Sequence, residues 1–318
     1  MQFTQLKKHI AQGDLKPCYV LHGDDDWVVN SAWSMFDSAV DNLPEFNIEV
    51  FGEGSDFKKV LESCQTLPMM AERRVVKAVK PSYFSMKILA EYLTNPPPTT
   101  VLVIKFGGTI PKDLTAGGGG VTIVNCNKLD RRTMTMWINR EIEKRGAEIS
   151  DSASNLLIDY CLSSMSRIST ETAKLSAYRY GGKIEPNDVE ELVTADAEYK
   201  VFALSEAMTA GNADLAFDVL GKLLADKNQP IAILGLMYNH YRRLLHASIS
   251  GDDHDLYKHL GVKEMAVRIS QRQSKNYSKR RLYDIVKIFH QADFDFKNGG
   301  ISGKTGLEKI VAQIMSVG

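Results

Sequence analysis

Cys18-Tyr19-Val20-Leu21-His22-Gly23-Asp24-Asp25-Asp26 decides the fold: a short apolar run stops at a glycine, three acids follow, and a helical stretch runs from about Trp27 to Val40. A strand that enters a helix through a glycine turn reads as the opening of a βαβ unit. The alternation continues outward from there. Asn47-Ile48-Glu49-Val50-Phe51 alternates polar and apolar residues as a strand does, and Phe57, Val60, Leu61 and Cys64 take the i, i+3, i+4, i+7 spacing of an amphipathic helix. Arg74-Val75-Val76-Lys77-Ala78-Val79 is β-branched and ends before Pro81; Thr100–Ile104 and Val121–Val124 complete five strands. Strands separated by helices predict a mainly parallel five-stranded sheet covered on both faces.

After Asp130 the strand signal stops. Helices are predicted at about 130–146, 151–164, 167–180 and 186–193, the last opened by Pro186 in its first turn with acids near its positive end. From about Ala197 onward the chain is again helical. Val219, Leu220, Leu223, Leu224, Ile233, Leu234, Met237, Tyr238, Tyr241, Leu244 and Leu245 carry the 3.6 period. The expected organisation is α/β plus all-α: an α/β domain over 1–138, a small helical domain over 139–196 and a helical C-terminal domain over 197–318. No repeat stands out beyond the Gly117–Gly120 loop.

The chain has 318 residues, 44% hydrophobic and 25% charged, with zero formal net charge. That balance argues against a protein that coats nucleic acid by bulk charge, but leaves a local basic patch open. Cys18, Cys64, Cys126 and Cys161 are far apart with apolar neighbours, which reads as reduced core thiols rather than a disulfide frame or metal site. No basic-then-apolar leader and no membrane-length apolar run is visible, so the expectation is a cytoplasmic protein without a membrane partner.

A βαβ opening invites a phosphate-loop reading, which requires GxxxxGK[ST]. Counted from Gly23, the second glycine, lysine and hydroxyl fall on Val28, Val29 and Asn30, while Asp24, Asp25 and Asp26 would repel a triphosphate. A magnesium-holding acid is expected just after Val103-Ile104, where Lys105-Phe106 stands. Gly299-Gly300-Ile301-Ser302-Gly303-Lys304-Thr305 ends in GKT but lacks the first glycine and follows a helix, so it reads as a loop and a helix start. No cofactor and no metal is expected. The histidines fit no HExxH pattern, and no GxSxG or cysteine–histidine pattern appears. His240 and His246 read as partly buried core or interface residues.

Thr66-Leu67-Pro68-Met69-Met70-Ala71-Glu72-Arg73 joins an amphipathic helix to the third strand. Such a turn is normally polar because it crosses the surface. Its two methionines either plug a gap between helix and sheet or are offered to a partner, and the partner is the favoured reading. From Lys258 to Lys287 nine basic residues, among them Arg272, Lys275, Lys279, Arg280 and Arg281, stand against Glu264 and Asp284. This stretch is either a solvated helix face or a contact for DNA phosphates or an acidic neighbour. Glu171 and Lys174 have the spacing of an i, i+3 pair, and Leu175 and Tyr178 read as core.

Four segments, in order, resemble the delta subunit of bacterial DNA polymerase III, the clamp-loader component that opens the sliding clamp. They are Leu15–Asp25, Leu67–Val76, Glu171-Thr172-Ala173-Lys174-Leu175-Ser176-Ala177-Tyr178, and Gln229-Pro230-Ile231 through Tyr241-Arg242-Arg243-Leu244-Leu245. The resemblance implies an AAA+-like sheet domain without a functional phosphate loop, a small helical lid and a C-terminal helical collar for oligomerisation. It places the clamp contact on Leu67, Pro68, Met69 and Met70, where family members often have leucine and phenylalanine at the last two positions. Methionine adapts to irregular apolar pockets, and burying two contributes roughly 3–6 kcal/mol before association costs. The implied partners are the beta sliding clamp, neighbouring subunits of gamma/tau and delta prime type, and primed DNA within the complex. ATP is then expected only on those neighbours. No catalysis is expected of this chain; polymerase activity belongs to the holoenzyme. The competing readings are a P-loop-related NTPase and a direct DNA-binding module using the basic stretch.

Overall fold

β-branched and aromatic side chains crowd a helix but pack well on a pleated surface, and the five runs rich in them form one sheet. β1 (Cys18–His22), β2 (Ile48–Phe51), β3 (Arg74–Val79), β4 (Thr100–Lys105) and β5 (Val121–Asn125) lie in the order β2-β3-β4-β1-β5, and every neighbouring pair is parallel. The computed structural model describes residues 1–107, 110, 114, 120–225, 229–250, 259–260 and 264–317. Two compact units result, Met1–Asp130 and Arg131–Gly318.

In the first unit, alternate strand residues divide between the two faces of the sheet. Cys18, Val20, Val76, Ala78, Leu102 and Ile104 pack against Phe57, Val60 and Cys64 of α4 (Phe57–Cys64) and Leu89 of α5 (Met86–Tyr92). On the other face lie α1 (Phe3–Ala11) and α2 (Asp26–Met35), the latter running into a 3-10 turn, Phe36–Ala39. Tyr19 stacks there on Phe36 at 4.8 Å and its hydroxyl lies 2.7 Å from His9 Nε2. Lys77 is buried on this face, where it donates to Trp33 O at 2.8 Å and pairs with Asp37. A buried ammonium is tolerated only with such partners.

The segment before β2 departs from the expected strand. Leu43 is left-handed (φ 47°) and Pro44 fixes the first position of a one-turn helix, α3 (Pro44–Asn47). Asn47 therefore ends a helix rather than beginning a strand.

The second unit opens with the Arg131–Lys144 helix, whose buried residues are Met134, Ile138 and Ile142. This helix, which spans position 138, packs on the helices Asp151–Tyr160 and Met165–Tyr178. Arg131 binds Asp159 and Asn155 from the first turn. Strand structure does persist past Asp130: Glu148–Ile149 and Lys183–Ile184 form a two-stranded parallel sheet. Two residues are too few to leave a period in the sequence. Glu171 and Lys174 form the expected pair and Leu175 is buried, but Tyr178 is half exposed rather than core.

From Ala197 the helices Ala197–Thr209, Ala213–Ala225, Pro230–Ser250, Lys279–Lys297 and Gly303–Ser316 share a core that includes Leu204, Leu220, Leu223, Ile233, Met237, Tyr241, Leu244, Leu282, Phe289 and Ile310, while Val267 of the Glu264–Ser274 helix packs separately with Ala247. The GKT stretch starts the last helix, with Ser302 as its cap residue. His240 is fully buried, whereas His246 is exposed. The four cysteines are free and buried, as their apolar neighbours predict. No described helix is long and apolar enough to cross a membrane.

Candidate functional site

The end of β1 lies between β4 and β5, which is where open parallel sheets place ligands. In this chain the turn is filled from within. A side chain on Gly23 would meet the Cys126 carbonyl group at 2.1 Å, so the turn packs directly on the backbone after β5. Asp24 Oδ1 accepts from Lys128 N at 2.8 Å, tying the same two segments together. Asp25 caps α2: its Oδ1 accepts from Trp27 N at 3.0 Å and Val28 N at 3.1 Å. In a phosphate loop those first-turn amides would point at a phosphate. Here a carboxylate of the chain already takes two of them, and its charge satisfies the helix dipole. At the end of β4, Lys105 Nζ donates to Asn30 Oδ1 at 3.1 Å and sits 5.0 Å from the Trp33 ring centroid. A cation thus stands where a magnesium-holding acid would be needed.

The turn between α4 and β3 has the opposite character. Leu67 is 76% exposed, Met69 52% and Met70 76%, with Pro68 half-buried between them. These methionines do not fill a gap between helix and sheet. Their backbone, in contrast, is held from behind. Asn47 is fully buried; its Oδ1 accepts from Met69 N at 2.7 Å and its Nδ2 donates to Met69 O at 2.9 Å. Asn42 Nδ2 donates to Met70 O at 2.9 Å, and Asp41 Oδ1 accepts from Glu72 N at 3.0 Å. Met70 takes a left-handed φ of 51°, which turns the chain at the tip.

The two arginines that follow anchor the turn. Arg73 donates to Gly13 O at 2.6 Å. Arg74, buried at the start of β3, donates to Phe46 O at 2.8 Å and Ser63 Oγ at 3.3 Å and pairs with Glu49. It thereby joins α3, β2 and α4 beneath the exposed apolar side chains. The sequence singles out Leu67, Pro68, Met69 and Met70 but not Asn42, Asn47 or Arg74, which hold the turn. An asparagine beside a proline turn was the available signal, yet its partner lies 22 residues away.

The basic stretch lies in the second unit. Lys258 and Lys263 are outside the described residues. Arg272, Lys275, Lys279 and Arg280 are exposed; Arg281 is half-buried with its guanidinium 5.4 Å from the Tyr277 ring centroid. Arg272 pairs with Glu206 at 3.5 Å. Ser278 caps the Lys279–Lys297 helix by accepting from Arg281 N at 3.1 Å, and no acid stands in the first turn. Three cations there oppose the positive end of the helix dipole, an arrangement that disfavours the helix.

A parallel sheet in this order, followed by helical domains, is an AAA+-like architecture, and its phosphate turn is capped by its own aspartate. The family profile "DNA polymerase III, delta subunit" matches residues 19–115, and "DNA polymerase III delta subunit, C-terminal domain" matches residues 198–314. The chain belongs to the DNA polymerase III delta-subunit family. It is similar to DNA polymerase III subunit delta of Bacillus subtilis, 23% identical over 340 residues that cover 97% of this chain and 95% of that one. The Haemophilus influenzae subunit delta is 22% identical over 245 residues, 72% of this chain and 70% of that one. Among solved structures, the Bacillus subtilis DNA clamp loader delta protein has the same fold, with a TM-score of 0.77 at 21% identity over 98% of this chain and 99% of that chain.

Proposed function

We propose that this chain is the clamp-opening subunit of a DNA polymerase III clamp loader. It binds the beta sliding clamp through Leu67, Pro68, Met69 and Met70 and holds the ring open for loading onto primed DNA. The observation that carries this reading is an exposed methionine pair on a backbone held by hydrogen bonds from a buried asparagine. A soft apolar tip on a rigid base suits insertion into a pocket at a ring interface, because little order has to be gained on binding.

The chain has no chemistry of its own in this account and works in the cytoplasm. ATP is bound by neighbouring subunits of gamma/tau type, with a delta prime type subunit completing the ring, and the helices from Ala197 onward join a collar. The capping of α2 by Asp25 supports the absence of a nucleotide here. The cluster of Arg272, Lys275, Lys279, Arg280 and Arg281 contacts DNA phosphates or an acidic neighbouring subunit, a reading supported by cations placed against the helix dipole.

A capture experiment with a purified bacterial beta sliding clamp, with and without ATP, tests the assignment. The isolated chain is expected to retain the clamp equally in both conditions. No retention, or tight ATP binding by this chain alone, would overturn it in favour of an NTPase.

A further inference from the structure

We infer that Asn47, seconded by Asn42, is the positioning residue of the clamp-contacting turn. This rests on the reading of Met69 and Met70 as the clamp contact. A carboxamide that faces both the N–H and the C=O of one residue reproduces the pairing of a neighbouring strand. Asn47 makes that pair with Met69. The same Nδ2 also donates to Asn42 O at 3.0 Å and Leu43 O at 3.1 Å, so the side chain is locked to its own turn.

Being fully buried, Asn47 is shielded from exchange of these bonds with water. Asn42 extends the cradle to the next carbonyl and Asp41 to the amide of Glu72. Backbone groups of Met69, Met70 and Glu72 are thereby fixed by one short segment, Asp41–Asn47, while the thioethers between them stay in solvent. The cradle also holds Met70 in a left-handed conformation that a free methionine rarely adopts. Without the cradle the turn would sample other backbones, and the clamp would bind only the fraction with both side chains forward.

The test uses the full chain and a purified bacterial beta sliding clamp. Affinity is measured for Asn47→Ala, Asn42→Ala and the double variant Met69→Ser/Met70→Ser, alongside amide hydrogen exchange of the free proteins. Asn47→Ala is expected to lower affinity by about tenfold or more, and Asn42→Ala by about threefold, the scale of one to two lost hydrogen bonds. Exchange at Met69 and Glu72 rises while Val75–Ala78 of β3 stays protected, a pattern that general destabilisation would not produce. Should Asn47→Ala fail to fold, Asn42→Ala decides, because Asn42 is exposed and, among the described residues, its side chain holds Met70 O alone. Wild-type affinity in the asparagine variants, with binding lost in the methionine variant, would overturn the positioning role and leave the clamp contact standing. Wild-type affinity in the methionine variant would overturn both.

Discussion

Replacing Met69 and Met70 together by serine removes the apolar tip and leaves its support in place, because Asn47 and Asn42 bind only backbone atoms of the two residues. The exposures of 52% and 76% leave the equivalent of about 1.3 methionines available for burial, worth about 2–4 kcal/mol at the usual value per buried side chain. That range corresponds to a loss of roughly 30- to 800-fold in clamp affinity. Stability responds differently. Exposed substitutions away from caps and cores stay within about 0.5 kcal/mol, so the melting temperature should hold within a degree or two. Calorimetric titration against the purified clamp gives the first quantity and a thermal scan the second. A fall in melting temperature of many degrees would mean that the thioethers are core, and an unchanged affinity would mean that the clamp binds elsewhere.

Asp25→Ala removes a cap that satisfies two amides of α2, and should cost about 1 kcal/mol in urea unfolding of the first unit without creating ATP binding. Lys279→Glu with Arg280→Glu should raise stability by about 0.3–1 kcal/mol per site through the helix dipole while weakening loading of the assembled complex onto primed DNA, a divergence that thermal scans and loading assays detect. His240 lies against Phe202 and Tyr241, and neither ring nitrogen has a hydrogen-bond partner among the described residues. Burial, with Arg243 adding to it, pushes its imidazole down to about 3 from the usual 6.5. The unfolded chain therefore binds the extra proton between those values, and His240's contribution is full above pH 6.5 and falls as pH drops toward 3. At pH 5 the loss is about 2 kcal/mol, so urea midpoints at pH 7 and pH 5 should differ more for the wild type than for His240→Phe.

The sheet was legible because its strands are short runs rich in β-branched and apolar residues, the first three closed by Gly23, Gly52 and Pro81, and the helices from Ala197 because their apolar residues keep the 3.6 period through Leu220, Met237 and Leu244. Val28, Val29 and Asn30, where a phosphate loop has glycine, lysine and a hydroxyl, were legible as well. What the turn after β1 does instead was not. That Asp25 caps α2 follows from local geometry that three adjacent aspartates do not distinguish. The methionine turn stood out as apolar residues where polar ones belong, but its support did not. Asn47 sits in a polar–apolar alternation that reads as strand, and only the folded chain brings it to Met69. Long-range hydrogen bonds of this kind leave no period. The same holds for the strand pair Glu148–Ile149 and Lys183–Ile184, whose residues are joined only by folding.

The most direct measurement places a fluorescent donor and acceptor on opposite sides of one beta-clamp interface and follows their separation as this chain is added. The account predicts a saturable increase in separation with the wild type, needing no nucleotide on this chain, and none with Met69→Ser/Met70→Ser. An interface that stays closed around bound wild-type protein, or opens equally with the serine variant, would contradict it.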